Sequence, residues 1–230
     1  MIVGVHNQVD KPLFLTDKGR SAMLRDLYAQ EWEHFRQDYK KSFWTIMLVS
    51  LVIAVVFYML IVKNPQTVKE LLATLAQAFE AKGIKSGGTS TYFFWTIFKN
   101  NVQATFLSVL VGIIPLIILP AFSAIITIST ISILLASVAI QNQPWINILV
   151  YGILPHGIIE MIAIFLSGSV GIFLSLTVFR RLFSRNRHHY SVKKAIIQSL
   201  KTYILVILPL VLLAALIEGY VTPILIHKVV

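Results

Sequence analysis

Cysteine is absent from this chain of 230 residues, which excludes a disulfide framework, a thiol nucleophile and a cysteine-based metal site. Charge is scarce too: Asp, Glu, Lys and Arg make up 13% of the residues, and only 10 are acidic. Apolar and polar residues do not alternate over segments of about ten, which argues against a β-barrel. No Walker A loop, dinucleotide fingerprint or His-Glu-x-x-His helix occurs. The nearest approach to the last, Pro155-His156-Gly157-Ile158-Ile159-Glu160, has one histidine where a zinc-protease helix needs two. No enzyme, metal site or cofactor is therefore expected.

Long uncharged runs are what the chain does have. Hydrophobic residues reach 57%, mean hydropathy is +0.77, and the charges sit in blocks between the runs. This is the pattern of an all-α, polytopic helical membrane protein. The net charge of +10 is explained by basic residues flanking membrane spans, so the expected surroundings are a lipid bilayer and not nucleic acid.

Residues 1–41 hold seven Lys/Arg and six Asp/Glu and lack the early apolar core of a cleavable signal peptide. Met23, Leu24, Leu27, Tyr28 and Phe35 recur at roughly helical spacing, predicting a cytoplasmic amphipathic segment ahead of a membrane domain over 42–230. Phe43–Val62 is an uncharged run, about 30 Å long as a helix and one bilayer core thick. Val68, Leu71, Leu72, Leu75 and Phe79 then form an apolar stripe, expected on an interfacial or soluble helix. A Gly/Ser-rich loop follows over 83–91. Residues 101–143 contain no charged side chain. They suit two crossings, 102–119 and 121–140, bent at Pro115 and Pro120, or a shallow hairpin that enters and leaves by one face.

Trp145–Phe179 is 35 residues long, about 52 Å as a straight helix against a core of about 30 Å. Pro155 and Gly157 predict a helix break or re-entrant turn, which would place Glu160 in the first turn of the crossing that follows. Arg180–Lys201 carries seven basic residues and no acidic one, a cytoplasmic signal and a candidate contact for anionic lipid. Thr202–Ile226 is the last crossing, with Pro209 able to kink it. About five transmembrane helices result, in a multi-pass cell-membrane protein with a cytoplasmic N-terminus and the C-terminus outside.

His156 and Glu160 stand four residues apart and share a helix face. Ionisable groups at membrane depth cost about 3 kcal/mol or more, so the pair needs a reason. Two readings stand: a proton- or ion-responsive site, since histidine titrates near neutral pH, or a polar lock satisfying backbone groups freed by the break. Asn100 and Asn101 lie at the mouth of the preceding apolar run, where asparagine caps helices. The topology allows a polar intramembrane cluster of Asn100, Asn101, His156 and Glu160. Ser167, Gly168, Ser169 and Gly171 predict a smooth face for helix packing or a homo-oligomer. Glu218, beside Tyr220, reads as interfacial, and His188 with His189 as part of a headgroup-binding loop.

Three motifs carry a resemblance. Phe98-Lys99-Asn100-Asn101 opens one apolar segment, Leu154-Pro155-His156-Gly157-x-x-Glu160 opens another, and Ala163-Ile164-Phe165-Leu166-Ser167-Gly168 follows. In these the chain resembles the stage II sporulation protein M family over roughly residues 43–226. It departs from that family's pattern in Ser167, Ser169, Thr177 and the basic 180–201 loop. The resemblance implies a non-enzymatic membrane scaffold or complex subunit in cell-envelope or engulfment-type machinery, with membrane-protein partners. The sporulation member assembles with partners that degrade peptidoglycan, and some relatives accompany bacteriocin export. The alternative is a permease or channel component for a small solute, peptide or ion, with its site at the helix break.

Overall fold

Caps and prolines, more than the limits of the apolar runs, set where the helices begin and turn. The computed structural model describes residues 17–81 and 89–226. Residues 1–16 of the N-terminal segment, 82–88 with most of the Gly/Ser-rich loop, and 227–230 at the end of the expected membrane domain lie outside the described residues. The chain divides into two units, Met1–Gln37 and Asp38–Val230. In the first, α1 (Asp17–His34) exposes Met23, Leu24, Tyr28 and Trp32, and Trp32 stacks on Phe35.

The second unit comprises α2 (Lys40–Lys63), α3 (Pro65–Ala81), α4 (Ser90–Leu110), α5 (Phe122–Ile140), α6 (Trp145–Phe183) and α7 (Val192–Ile226). Among the described residues four stretches, Ser21–Lys63, Leu119–Ile140, Trp145–Phe183 and Val192–Ile226, are long and apolar enough to cross a membrane. The protein is a polytopic, all-helical membrane protein. Leu48, Val52, Val55 and Met59 of α2 are exposed apolar side chains, suited to contact with lipid.

The expected crossing over 102–119 takes a different form. The helix starts earlier, at Ser90, where Thr89 Oγ1 accepts from the Tyr92 N–H at 3.2 Å, and it ends at Leu110. The aromatic residues 92–95 are helical, so Lys99, Asn100 and Asn101 fall mid-helix and cap nothing. Those three polar residues, with Gln103, are why α4 is absent from the long apolar stretches.

Residues 111–121 then form an apolar turn, held by two buried serines. Ser108 Oγ donates to Pro120 O at 2.6 Å, and Ser175 Oγ to Ile114 O at 2.9 Å. A Cβ on Gly171 would lie 2.4 Å from Ser108 O, while one on Gly168 would meet Ile46 Cδ1 at 3.0 Å. Ser167 is fully buried and donates to Ile164 O. The small-residue face of α6 is therefore occupied by α2 and this turn within the chain.

Proline placement explains the other departures. Pro155, Pro209 and Pro223 each follow by two residues a π-helical turn: Ile148–Ile153, Tyr203–Ile207 and Ile217–Val221. The hydrogen bonds widen to five residues there, Leu154 N–H to Leu149 O, Leu208 N–H to Tyr203 O and Thr222 N–H to Ile217 O. A proline ring clashes with the carbonyl four residues back and offers no N–H. The widened turn gives that carbonyl room, and the helix continues. The break expected at Pro155–Gly157 is thus a π-turn just ahead of it, Trp145–Phe183 is one helical stretch, and Glu160 sits well inside it, away from any helix start.

α6 is central, packing on α2, α4, α5 and α7, with Ala163–Gly171 buried. Gln198 Nε2 donates to Asp38 Oδ2 at 2.7 Å, so α2 and α7 begin at one end. Tyr220 Oη donates to Thr91 Oγ1 at 3.2 Å, so α4 begins where α7 finishes. At that second end Leu71, Leu72 and Leu75 of α3 cover a cluster of Ile61, Ile133 and Ala136. Asn142 takes a left-handed backbone, φ 53°, which asparagine tolerates, in the turn between α5 and α6.

Candidate functional site

Where α4, α5, α6 and α7 meet beneath α3, polar side chains converge on a cavity of about 480 Å³. Asn100 and Asn101 come from α4, Thr127 and Thr130 from α5, His156 and Glu160 from α6, and Glu218 from α7. Leu72, Leu75, Ile126 and Leu134 complete an otherwise apolar lining.

The backbone places these groups for identifiable reasons. One helical turn separates His156 from Glu160, so both project from the same face of α6. His156 follows directly on Pro155, and the π-turn before it sets its angular position. Glu218 lies within the π-turn Ile217–Val221. Its neighbour Gly219 lets α7 approach α4 closely, since a Cβ there would stand 2.9 Å from Phe94 Cβ and 3.0 Å from Phe94 Cα. π-Turns recur at functional sites because they re-aim side chains without ending the helix.

His156 is 8% exposed. Its Nδ1 lies 3.1 Å from Thr222 Oγ1, and its Nε2 is 3.7 Å from Glu218 Oε2, beyond an ordinary hydrogen bond. The Glu160 carboxyl accepts a hydrogen bond from the Asn101 side chain. The Asn101 carbonyl in turn accepts from Thr105 Oγ1 at 2.7 Å. One imidazole nitrogen and one oxygen from each carboxyl lie within 4.8 Å of one another.

All four residues of the expected polar cluster, Asn100, Asn101, His156 and Glu160, line this one cavity. Glu218, read from sequence as interfacial, joins them in lining the cavity. Its proximity to Tyr220 misleads because the π-turn directs Glu218 inward while Tyr220 reaches Thr91. Pro223 marks a disturbance after Glu218 in the sequence, but the π-turn that directs the side chain inward is seen only in the structure. His188 and His189 lie in a short 3₁₀ turn between α6 and α7, apart from the cavity lining.

Residues 46–223 match the family described as Stage II sporulation protein M. No curated protein and no solved structure matches the chain.

Proposed function

The chain belongs to the Stage II sporulation protein M family, and from that premise we propose that it is a non-enzymatic membrane scaffold or complex subunit in cell-envelope machinery. Its partners would be membrane proteins or further copies of itself. The observation that supports the reading is the convergence of polar residues from four helices on one cavity. Such a centre fixes how the helices cross, and so fixes the surface offered to a partner. Buried polar groups serve this kind of registration best when each is held by a neighbouring element, as Asn101 holds Glu160 and Thr222 holds His156.

The basic residues of 1–41 and 180–201 would face the cytoplasm, with the latter against anionic headgroups, and the C-terminus would lie outside. Residues 42–230 would then be the membrane domain and 1–41 its cytoplasmic extension.

Crosslinking and affinity purification from native membranes test the proposal. A stoichiometric membrane or envelope partner is expected, with capture falling by about tenfold in Glu160→Gln and His156→Ala, in line with loss of groups that orient an interface. Recovery of the lone chain would overturn it. Solute flux in proteoliposomes that vanishes in Glu160→Gln would instead support a permease built on the same cavity.

A further inference from the structure

The cavity holds more than a polar lock requires. A lock closes its hydrogen bonds on itself. Here two carboxyl groups and an imidazole face one another across a shared volume within the helical membrane domain, with no Lys or Arg among the described residues that line it. His156 is buried, and among the described residues its Nε2 meets only Glu218, at 3.7 Å. With the proton on Nδ1 and donated to Thr222, the Nε2 lone pair is left facing Glu218, and a Glu160 oxygen belongs to the same cluster. Metal-ligating histidines are oriented in this way, the far nitrogen donating to a fixed acceptor. Asn101 does the same for Glu160.

We infer that His156 Nε2 and one carboxylate oxygen each from Glu160 and Glu218 form a binding site for a single divalent transition cation of the Zn²⁺ or Mn²⁺ class. The donor set decides the class: imidazole with carboxylates suits these ions, whereas Ca²⁺ and Mg²⁺ favour oxygen alone. Ligand bonds of about 2.0–2.2 Å place donors roughly 3–4.5 Å apart. The three atoms already lie within 4.8 Å of one another, so side-chain rotation alone closes the site. A divalent ion also neutralises two carboxylates that would otherwise repel each other in a low-dielectric setting. Three ligands leave coordination positions open toward the cavity, for water or for a group from a partner. Bound there, the ion pins α6 to α7 at the π-turn that carries Glu218.

The inference rests on this cavity being the protein's polar centre, but it is tested on the isolated chain, so its failure is separable from failure of partner capture. The purified protein in detergent is loaded with Zn²⁺, desalted, and analysed for metal by mass spectrometry, with affinity measured by calorimetric titration. One retained ion per chain is expected. Glu218→Gln and His156→Gln should each weaken binding by about 100-fold or more, and Thr222→Val by about 10–100-fold, with Thr222→Ser restoring it. Zn²⁺ should raise the unfolding temperature of the native chain and leave that of Glu218→Gln unchanged. The double variant His188→Ala/His189→Ala should bind as the native chain does. Co²⁺ loaded into the native chain gives a readout that needs no variant: visible d–d bands of a mixed nitrogen–oxygen site are expected. Substoichiometric metal, affinity unchanged in Glu218→Gln and His156→Gln, loss of the ion in the His188/His189 variant, or a Co²⁺ spectrum identical to the hydrated ion would each overturn the site.

Discussion

Two polar regions inside the helical unit are built on opposite plans. Where α2 begins, Tyr39 Oη lies 3.2 Å from Thr202 Oγ1 and accepts from Gln198 Nε2 at 3.1 Å, while Gln198 also donates to Asp38. A turn further on, Tyr203 Oη donates to Val102 O at 3.1 Å and lies 3.3 Å from Thr105 Oγ1. Mostly hydroxyl and amide groups, they hydrogen-bond to one another and to backbone carbonyls. The second region gathers the ionisable groups of His156, Glu160 and Glu218, with His156 Nε2 3.7 Å from Glu218 Oε2 and one donor atom from each within 4.8 Å of the others. The first spends its polarity on register. The second holds donor atoms apart around open volume, which is how binding sites differ from structural networks.

The largest test of that contrast is a change of sign. Replacing His156, Glu160 and Glu218 together by leucine should stabilise the metal-free protein by about 1–4 kcal/mol, as seen when buried ionic groups give way to apolar packing. The same triple variant should abolish Zn²⁺ retention. Denaturant unfolding in detergent reads the first effect and metal analysis the second. Destabilisation of similar size would mean the cavity is a lock after all, and the two regions would become one class.

Gly219→Ala probes how closely the cavity depends on its backbone. The added methyl would press on the Phe94 backbone at 3.0–3.1 Å, and neither side has a flexible end to yield. A loss of about 1–3 kcal/mol is expected from overpacking. The displaced Glu218 should also weaken Zn²⁺ binding, measured by titration, while the Tyr39–Gln198 network stays intact. An unchanged affinity would separate the position of Glu218 from the close approach of α7 to α4.

The contrast was only half legible from sequence, for physical reasons. His156, Glu160, Asn100 and Asn101 stand out because polar side chains in apolar runs are costly and visible. Glu218 does not, because its distance from the end of α7 suggests an interface, and only the π-turn before Pro223 turns it inward. Proline announces a disturbance at 155 but not its form: Pro155 is accommodated by a widened turn, so the helix runs on through Gly157. The start of α4 is hidden by aromatics that read as an interfacial belt until Thr89 is seen to cap them. Hydroxyl networks such as Tyr203–Thr105 leave no mark, since tyrosine and threonine are ordinary in membrane helices and their pairing depends on residues about a hundred positions apart.

Tyr203→Phe, in the closed network, should cost about 1 kcal/mol, the net worth of a buried neutral hydrogen bond. The Val102 carbonyl keeps its weaker donor in Thr105 Oγ1, at 3.2 Å, which limits the penalty. Zn²⁺ affinity should stay within error of the native chain. A fall in affinity would show that the Thr105–Asn101 link transmits strain to Glu160, and the two regions would be coupled.

Tyr39→Phe should have the smallest effect, and its size is the finest measure of how fully the first region satisfies itself. Tyr39 is completely buried, and its ring stands edge-on to Phe173 with centroids 5.5 Å apart, a contact that phenylalanine keeps. Removing the hydroxyl still leaves Gln198 its bond to Asp38 and Thr202 its bond to the Gln198 carbonyl at 3.1 Å. Neither neighbour is orphaned, so the loss belongs at the low end for a hydrogen bond, about 0.5 kcal/mol, read from the unfolding midpoint in detergent. A loss of about 2 kcal/mol or more would mean that this hydroxyl supports a desolvated charge on Asp38. The first region would then hold an ionisable group as dependent on its surroundings as those around His156.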